Sequence, residues 1–332
     1  MSNLTVVSEF LLMGFSDSRE LQIIYSLLFL LVFLATVLGN LLIVIVTTVD
    51  RRLHTPMYFF LRNLSIVDAC YITVTLPKAS ANSLLSSRAI SKSECVAQIF
   101  LVVFFVYVEL TCLTIMTRDR YVAICRPLHY TVIMNPRVCV QMTLTSLLTG
   151  LLYAGFHTAY TFQLPFCRSN VIQQFFCDIP SLLKLSCSET FSNEILIIVT
   201  GLGVGGGCFA FIIASYVRIF STLLKFPVKE DQRKAFSTCI PHIIIVLVFL
   251  ISSFYVYLRP ASVSASIKDM ILSVLYSVVP PFLNPIIYSL RNQQIKEAVQ
   301  TVVKRKIFFL EYNKKVFFKL PCFLTLCVHL NY

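Results

Sequence analysis

The sequence predicts an all-α membrane protein, a bundle of seven transmembrane helices with its N-terminus outside and its C-terminus inside. Three observations predict it. Of 332 residues, 57% are hydrophobic and only 13% charged, with a mean hydropathy of +0.79, whereas soluble domains use roughly 45–50% apolar residues. Seven stretches reach the ~20 apolar residues that a helix needs to cross a hydrocarbon layer about 30 Å thick. Charge also separates between alternate connections. The side holding the first, third and fifth inter-helix connections and the C-terminus carries 20 Lys/Arg against 6 Asp/Glu, and the other side 8 of each. The positive-inside rule makes the basic side cytoplasmic, so the net charge of +12 reads as topology and not as a nucleic-acid partner.

Residues 1–22 form an extracellular segment. Its Glu9, Asp17, Arg19 and Glu20 do not fit a cleavable leader, so the first span is expected to start insertion itself. Asn3-Leu4-Thr5 is a glycosylation sequon on the outer side. The expected spans are Ile23–Thr48, Tyr58–Ala79, Val96–Thr117, Val138–Phe162, Ile195–Phe220, Cys239–Leu258 and Ile267–Leu290. They make residues 23–290 one membrane domain, and 291–332 a cytoplasmic helix with a long tail. No separate soluble domain of ordinary size fits.

Of 12 cysteines, this topology leaves Cys95, Cys167, Cys177 and Cys187 on the oxidising side. Four cysteines allow three pairings, and spacing alone leaves them open. A bridge to Cys95 from the long connection Pro165–Glu194 would hold that loop over the mouth of the bundle.

An acid at mid-bilayer costs roughly 2.5–3.5 kcal/mol on insertion scales and marks a functional candidate. Two are present. Asp68 lies about 15 Å into the second span and Glu109 about 16 Å above the inner end of the third, at ~1.5 Å rise per residue. Asn40 and Asn284 fall in the same inner-half layer from the first and seventh spans. Two carboxylates in one dry layer repel, so either a cation, Na⁺, is bound at Asp68 and Glu109 or one acid stays protonated. The alternative is a static hydrogen-bonded plug that fixes helix packing. Nucleophile or histidine is absent from that depth, so a catalytic dyad is not expected.

Asp119-Arg120-Tyr121, ending the third span, and Asn284-Pro285-Ile286-Ile287-Tyr288, ending the seventh, resemble motifs of rhodopsin-like G-protein-coupled receptors. Longer strings narrow the likeness: Leu53-His54-Thr55-Pro56-Met57-Tyr58, Ala123-Ile124-Cys125-Arg126-Pro127-Leu128-His129-Tyr130, Ser215-Tyr216, Lys234-Ala235-Phe236-Ser237-Thr238-Cys239 and Pro281-Phe282-Leu283-Asn284. From about Asn3 to Val299 the chain is similar to vertebrate olfactory receptors, of the tetrapod-type class by its Phe176-Cys177-Asp178. The resemblance implies bridges Cys95–Cys177 and Cys167–Cys187, and a cation role for Asp68 and Glu109. It also implies a non-enzymatic receptor without a cofactor, in the plasma membrane of sensory cilia, coupled to an olfactory stimulatory G protein that raises cyclic AMP.

A pocket is then expected in the outer half of the bundle, lined by Val102, Val103, Val106, Tyr107, Leu250, Phe254, Tyr257, Val274 and Ser277. This wall is mostly apolar and has no acid at the level of Val102, which points to a small, largely uncharged, volatile odorant. At the inner face Asp119, Arg120, Tyr121, Tyr216, Lys234, Asn284, Pro285 and Tyr288 are the expected coupling and switch groups, with Asp119 paired to Arg120 at rest. The chain departs from the family at Arg118, which adds a cation at the G-protein face. It departs again at Leu250 and Pro241, and in the apolar Ile307–Tyr332 extension, which reads either as a membrane-surface helix or as a read-through without a role.

Gly201-Leu202-Gly203-Val204-Gly205-Gly206 satisfies a dinucleotide-binding spacing, but it lies inside a span and not in a βαβ unit. Close helix packing is expected there instead. His157 and His242 are expected to be satisfied polar groups and not metal ligands. A transporter would need inverted repeats and paired broken helices, and the sequence has neither. A non-signalling product of a decayed receptor gene is the other rival, suggested by Arg118 and the tail.

Overall fold

The structure is a computed structural model that describes residues 9–13, 18–85, 88–167, 169–188, 190–225, 229–257, 267–291 and 293–301, with part of the side chains in the last two long helices left out of the description. Seven long helices dominate the described residues. They are α1 (Arg19–Val49), α2 (Pro56–Leu85), α3 (Lys92–Cys125), α4 (Pro136–Phe162), α5 (Phe191–Leu223), α6 (Lys229–Tyr257) and α7 (Ile267–Arg291). A shorter helix, α8, covers 293–301. Of the seven, α1 to α5 are long and apolar enough to cross a membrane on described residues alone.

Local chemistry sets the helix ends. α3 opens with a capping box: the Ser91 hydroxyl accepts from the Glu94 backbone N–H, and the Glu94 carboxylate accepts from the Ser91 N–H. α4 opens with Pro136 at its first position and the Asn135 side chain accepting from the Val138 N–H. Each span begins or ends one to ten residues beyond its apolar window, because a helix continues through the headgroup layer after its apolar stretch stops. Inside the spans, several hydroxyls are satisfied within the helix. Thr36, Thr47, Thr117 and Thr161 donate to the carbonyl four residues earlier, as a medium without water requires.

Large apolar side chains such as Leu31, Leu38, Leu152 and Ile251 point outward. That orientation suits lipid and would be unfavourable in water. The main core lies in the half of the bundle that holds the α1–α2 and α3–α4 connections, termed inner in keeping with the expected topology, where Phe60, Leu64, Leu113, Met116, Ile219 and Tyr288 pack together. α8 joins this core through Ile295 and Ala298, and the Tyr58 hydroxyl donates to Gln294.

The outer end is closed by a small sheet. Strand β1 (Glu9–Leu12) lies between β2 (Ala89–Ser91), antiparallel to it, and β3 (Val171–Ile172), parallel to it. Phe10 and Leu12 face inward and are buried with Ile90, Ile172 and Phe166. Disulfides Cys95–Cys177 and Cys167–Cys187, with Cα atoms 5.6 and 5.7 Å apart, pin the α4–α5 connection to α3 and to itself.

One expectation fails. An ideal Cβ at Gly201, Gly203, Gly205, Gly206 or Gly207 would meet nothing within 4 Å among the described residues, so among those residues these glycines do not serve helix packing. They lie at and beside a π-helical turn, Leu202–Gly206. Close approach occurs instead at Gly39, where a Cβ would lie 3.2 Å from the Pro285 ring, and at Gly150, where it would lie 3.1 Å from Tyr107.

Candidate functional site

Three layers are stacked along the bundle. At the mouth, Phe175 and Phe176 descend from the α4–α5 connection and are buried against Phe29, Ile72, Leu76 and Val278, with Val102 and Val274 packed beside them. Phe175 stacks on Phe29 at 5.9 Å and meets Phe176 edge-on at 4.8 Å. The cover is held by Gln98: its Oε1 accepts from the Cys177 N–H at 2.8 Å, and its Nε2 donates to the Val74 carbonyl at 2.9 Å.

The residues expected to line one wall separate here. Val102 and Val274 come together under the cover, Val103 packs beneath the outer loop, and Val106 packs on the inner core. Tyr107 turns to α4, with its ring 5.1 Å from Tyr153. Ser277 is fully buried. The side chains of Leu250, Phe254, Tyr257 and Lys234 lie outside the described residues, as do Asn3 and the 302–332 tail. His157 is held by Thr200 at 3.1 Å.

The middle layer brings four polar residues from four helices together. Asn284 donates to Asp68 Oδ2 at 2.7 Å and is within reach of Glu109. Asn40 donates to the Thr36 and Pro281 carbonyls at 3.0 and 3.1 Å. All four side chains are buried. Each also retains an oxygen with no hydrogen-bond partner among the described residues: Asn40 Oδ1, Asp68 Oδ1, Glu109 Oε1 and Asn284 Oδ1. Buried acceptors are normally satisfied; here Asp68, Glu109 and Asn284 face one another, and Asn40 is tied to the same helix as Asn284 through the Pro281 carbonyl.

At the inner layer, Asp119 is not ion-paired with Arg120, since no contact within 4 Å joins them among the described salt bridges. The Tyr130 hydroxyl donates to Asp119 Oδ1 at 2.8 Å instead. A neutral donor from the α3–α4 connection reaches the carboxylate, while the Arg120 guanidinium stays near Tyr216, His242 and Tyr288. The Tyr216 hydroxyl bonds His242 Nδ1 at 2.8 Å. Arg120 Nε and the Tyr288 hydroxyl have no partner among the described residues. Tyr121 is half-buried on the same core, and Pro285 is buried against Gly39. An open cavity of about 400 Å³ lies beside this layer, lined by Cys125, Arg126, Pro127, Leu128, His129 and Ile133.

Arg118 does not enter this layer; its side chain is exposed on the surface of α3. Sequence reasoning also passed over Gln98, Tyr130, Phe175 and Phe176. Gln98 carried a readable signal, as a polar side chain inside an apolar span, three residues after Cys95. The others become significant only once the loops are folded back.

This layered bundle has its counterpart in squid rhodopsin, whose crystal structure superposes with a TM-score of 0.67 over 88% of each chain at 19% identity, a likeness of fold alone. A profile described as olfactory receptor matches residues 29–306. The chain belongs to the olfactory receptor family. Human olfactory receptor 14C36 is 67% identical over 94% of this chain and 99% of its own length. Human olfactory receptor 14A16 is 52% identical over 92% and 99%. As an olfactory receptor the chain is a multi-pass plasma-membrane G-protein-coupled receptor and not an enzyme.

Proposed function

We propose that this receptor is activated by small, mostly apolar odorants bound in the outer half of the bundle, and that it activates an olfactory stimulatory G protein, raising cyclic AMP. Residues 1–22 lie outside, 23–290 form the receptor domain and 291–332 lie inside. The observation that carries the reading is the apolar cluster under Phe175 and Phe176, where α3 and α7 contribute Val102 and Val274. A ligand of about ten heavy atoms gains about 4–6 kcal/mol at roughly 0.4–0.6 kcal/mol per atom, so dissociation constants fall near the high-micromolar range. Broad, weak tuning follows.

Activation requires a ligand that favours one arrangement of the inner layer, because equal affinity for two states shifts neither. The Tyr216–His242 bond ties α5 to α6 in the resting arrangement, and Arg120 and Tyr288 each keep an unused polar atom beside it. An outward swing of α6 breaks that tie and exposes the basic inner face to a G-protein helix. Asn40, Asp68, Glu109 and Asn284 would hold Na⁺ between the two ends. The ion, when bound, supplies the positive charge that two adjacent carboxylates lack.

The test is a chemically broad odorant panel applied to cells with the receptor at their surface, read as cyclic AMP, and repeated with Tyr257→Phe. Ligand-dependent signal with selective weakening of oxygen-bearing agonists is expected. Surface-expressed receptor silent to the whole panel overturns the reading, and unchanged potency removes Tyr257 from the site.

A further inference from the structure

Arg118 is a charged side chain within a membrane helix, exposed, and without a salt-bridge partner among the described residues. Its direction follows from its neighbours one heptad away, which share its face of the helix because seven residues turn through nearly two full turns. Seven residues towards the outer end, Thr111 hydrogen-bonds Ser146 of α4. Seven residues towards the inner end, the Cys125 thiol donates to Thr222 of α5 at 3.4 Å. The Arg118 face therefore points between α4 and α5.

Those two helices meet near their outer ends, through His157–Thr200 and Asn193–Tyr160, and make few contacts along the inner half of α5. A crevice floored by α3 is left open to lipid at the inner end. Its α5 wall carries Arg218, exposed and one turn above Thr222, with no acid paired to it among the described residues. Arg118 lies about 10 Å above Cys125 and Arg218 about 6 Å above Thr222, at ~1.5 Å per residue. Two guanidiniums thus enter the crevice at neighbouring depths, within reach of the headgroup layer for side chains that extend towards the interface.

We propose that this α3–α4–α5 crevice binds the headgroup phosphate of an anionic phospholipid through Arg118 and Arg218. Charge complementarity selects the occupant. Unpaired guanidiniums at a lipid-facing position match a phosphate with planar, charge-assisted hydrogen bonds. That the lipid belongs to the cytoplasmic leaflet rests on the orientation proposed above.

The experiment uses the full-length receptor in nanodiscs of phosphatidylcholine containing 20 mol % headgroup-labelled phosphatidylserine, with labelled phosphatidylcholine as the neutral probe. The wild type is expected to retain labelled phosphatidylserine in preference to the neutral probe. Arg118→Gln and Arg218→Gln should each lower that preference about five-fold, as expected for roughly 1 kcal/mol per basic residue at an anionic surface, while Arg118→Lys keeps most of it. Monodisperse variants that still bind the neutral probe are folded, and the wild-type comparison needs no variant. Equal retention of both probes by the wild type overturns the proposal. So does unchanged preference in the double variant, or a variant defect in G-protein coupling that persists in pure phosphatidylcholine without any lipid preference, which would assign the crevice to a protein segment. Both nanodisc leaflets carry the same lipid, so an error in orientation leaves this result unaffected and is detected separately by tagging the chain ends in intact cells.

Discussion

Asp178 caps the short helix Ile179–Leu183 in the outer connection, accepting from the Ser181 N–H at 3.2 Å. Burial outweighs that bond and pushes its carboxyl up to about 6. The folded loop therefore holds a proton more tightly than the unfolded chain does. Its stability rises as pH falls through 6 towards the ordinary aspartate range, and the gain is withdrawn as pH rises again through 6. Between pH 7 and pH 5 the gain is about 1 kcal/mol. Hydrogen exchange across residues 171–187 should accordingly be slower at pH 5 than at pH 7 after correction for intrinsic rates, and Asp178→Asn should remove the difference while keeping the cap. A wild-type loop equally protected at both pH values would place the carboxyl in water.

Among elements, the glycines divide by what surrounds them. Gly150 lets α4 approach Tyr107, Val108 and Phe104, each 3.1–3.3 Å from where a Cβ would stand, whereas Gly201 faces open space. Gly150→Leu should lower the stability of the purified receptor by about 1–3 kcal/mol through overpacking and reduce surface expression, and Gly201→Leu should do neither. Equal loss from both would show that the close approach at Gly150 is not what decides, since replacing glycine by leucine improves helix propensity at either site. The same pair shows what the sequence can and cannot convey. The helices were legible from run length, and the polar layer from four residues at one depth. Which glycine sits in a crossing was not legible, because small-residue spacing at 201–207 looks the same whether a neighbour is present or absent. The Asp119–Tyr130 bond was likewise hidden, since it depends on how the α3–α4 connection folds back and not on adjacency to Arg120.

For the whole molecule, the orphaned oxygens of Asn40, Asp68, Glu109 and Asn284 lie between a covered mouth and the Tyr216–His242 tie, so a cation there would bind α1, α2, α3 and α7 together. A ligand of the folded state alone raises stability by mass action. The thermal midpoint of the purified receptor should rise when choline chloride is replaced by sodium chloride at equal ionic strength. Asp68→Asn should abolish the rise. A wild-type midpoint indifferent to the exchange would leave the layer as a hydrogen-bonded plug.

The sheet over the mouth has its first-made strand in the middle. β1 is the first of the three to leave the ribosome, yet it occupies the centre and must wait for partners roughly eighty and a hundred and sixty residues downstream. Until Val171 and Ile172 arrive, Phe10 and Leu12 have nowhere dry to go, so the beginning of the chain acts as a latch that engages only after four spans are in place.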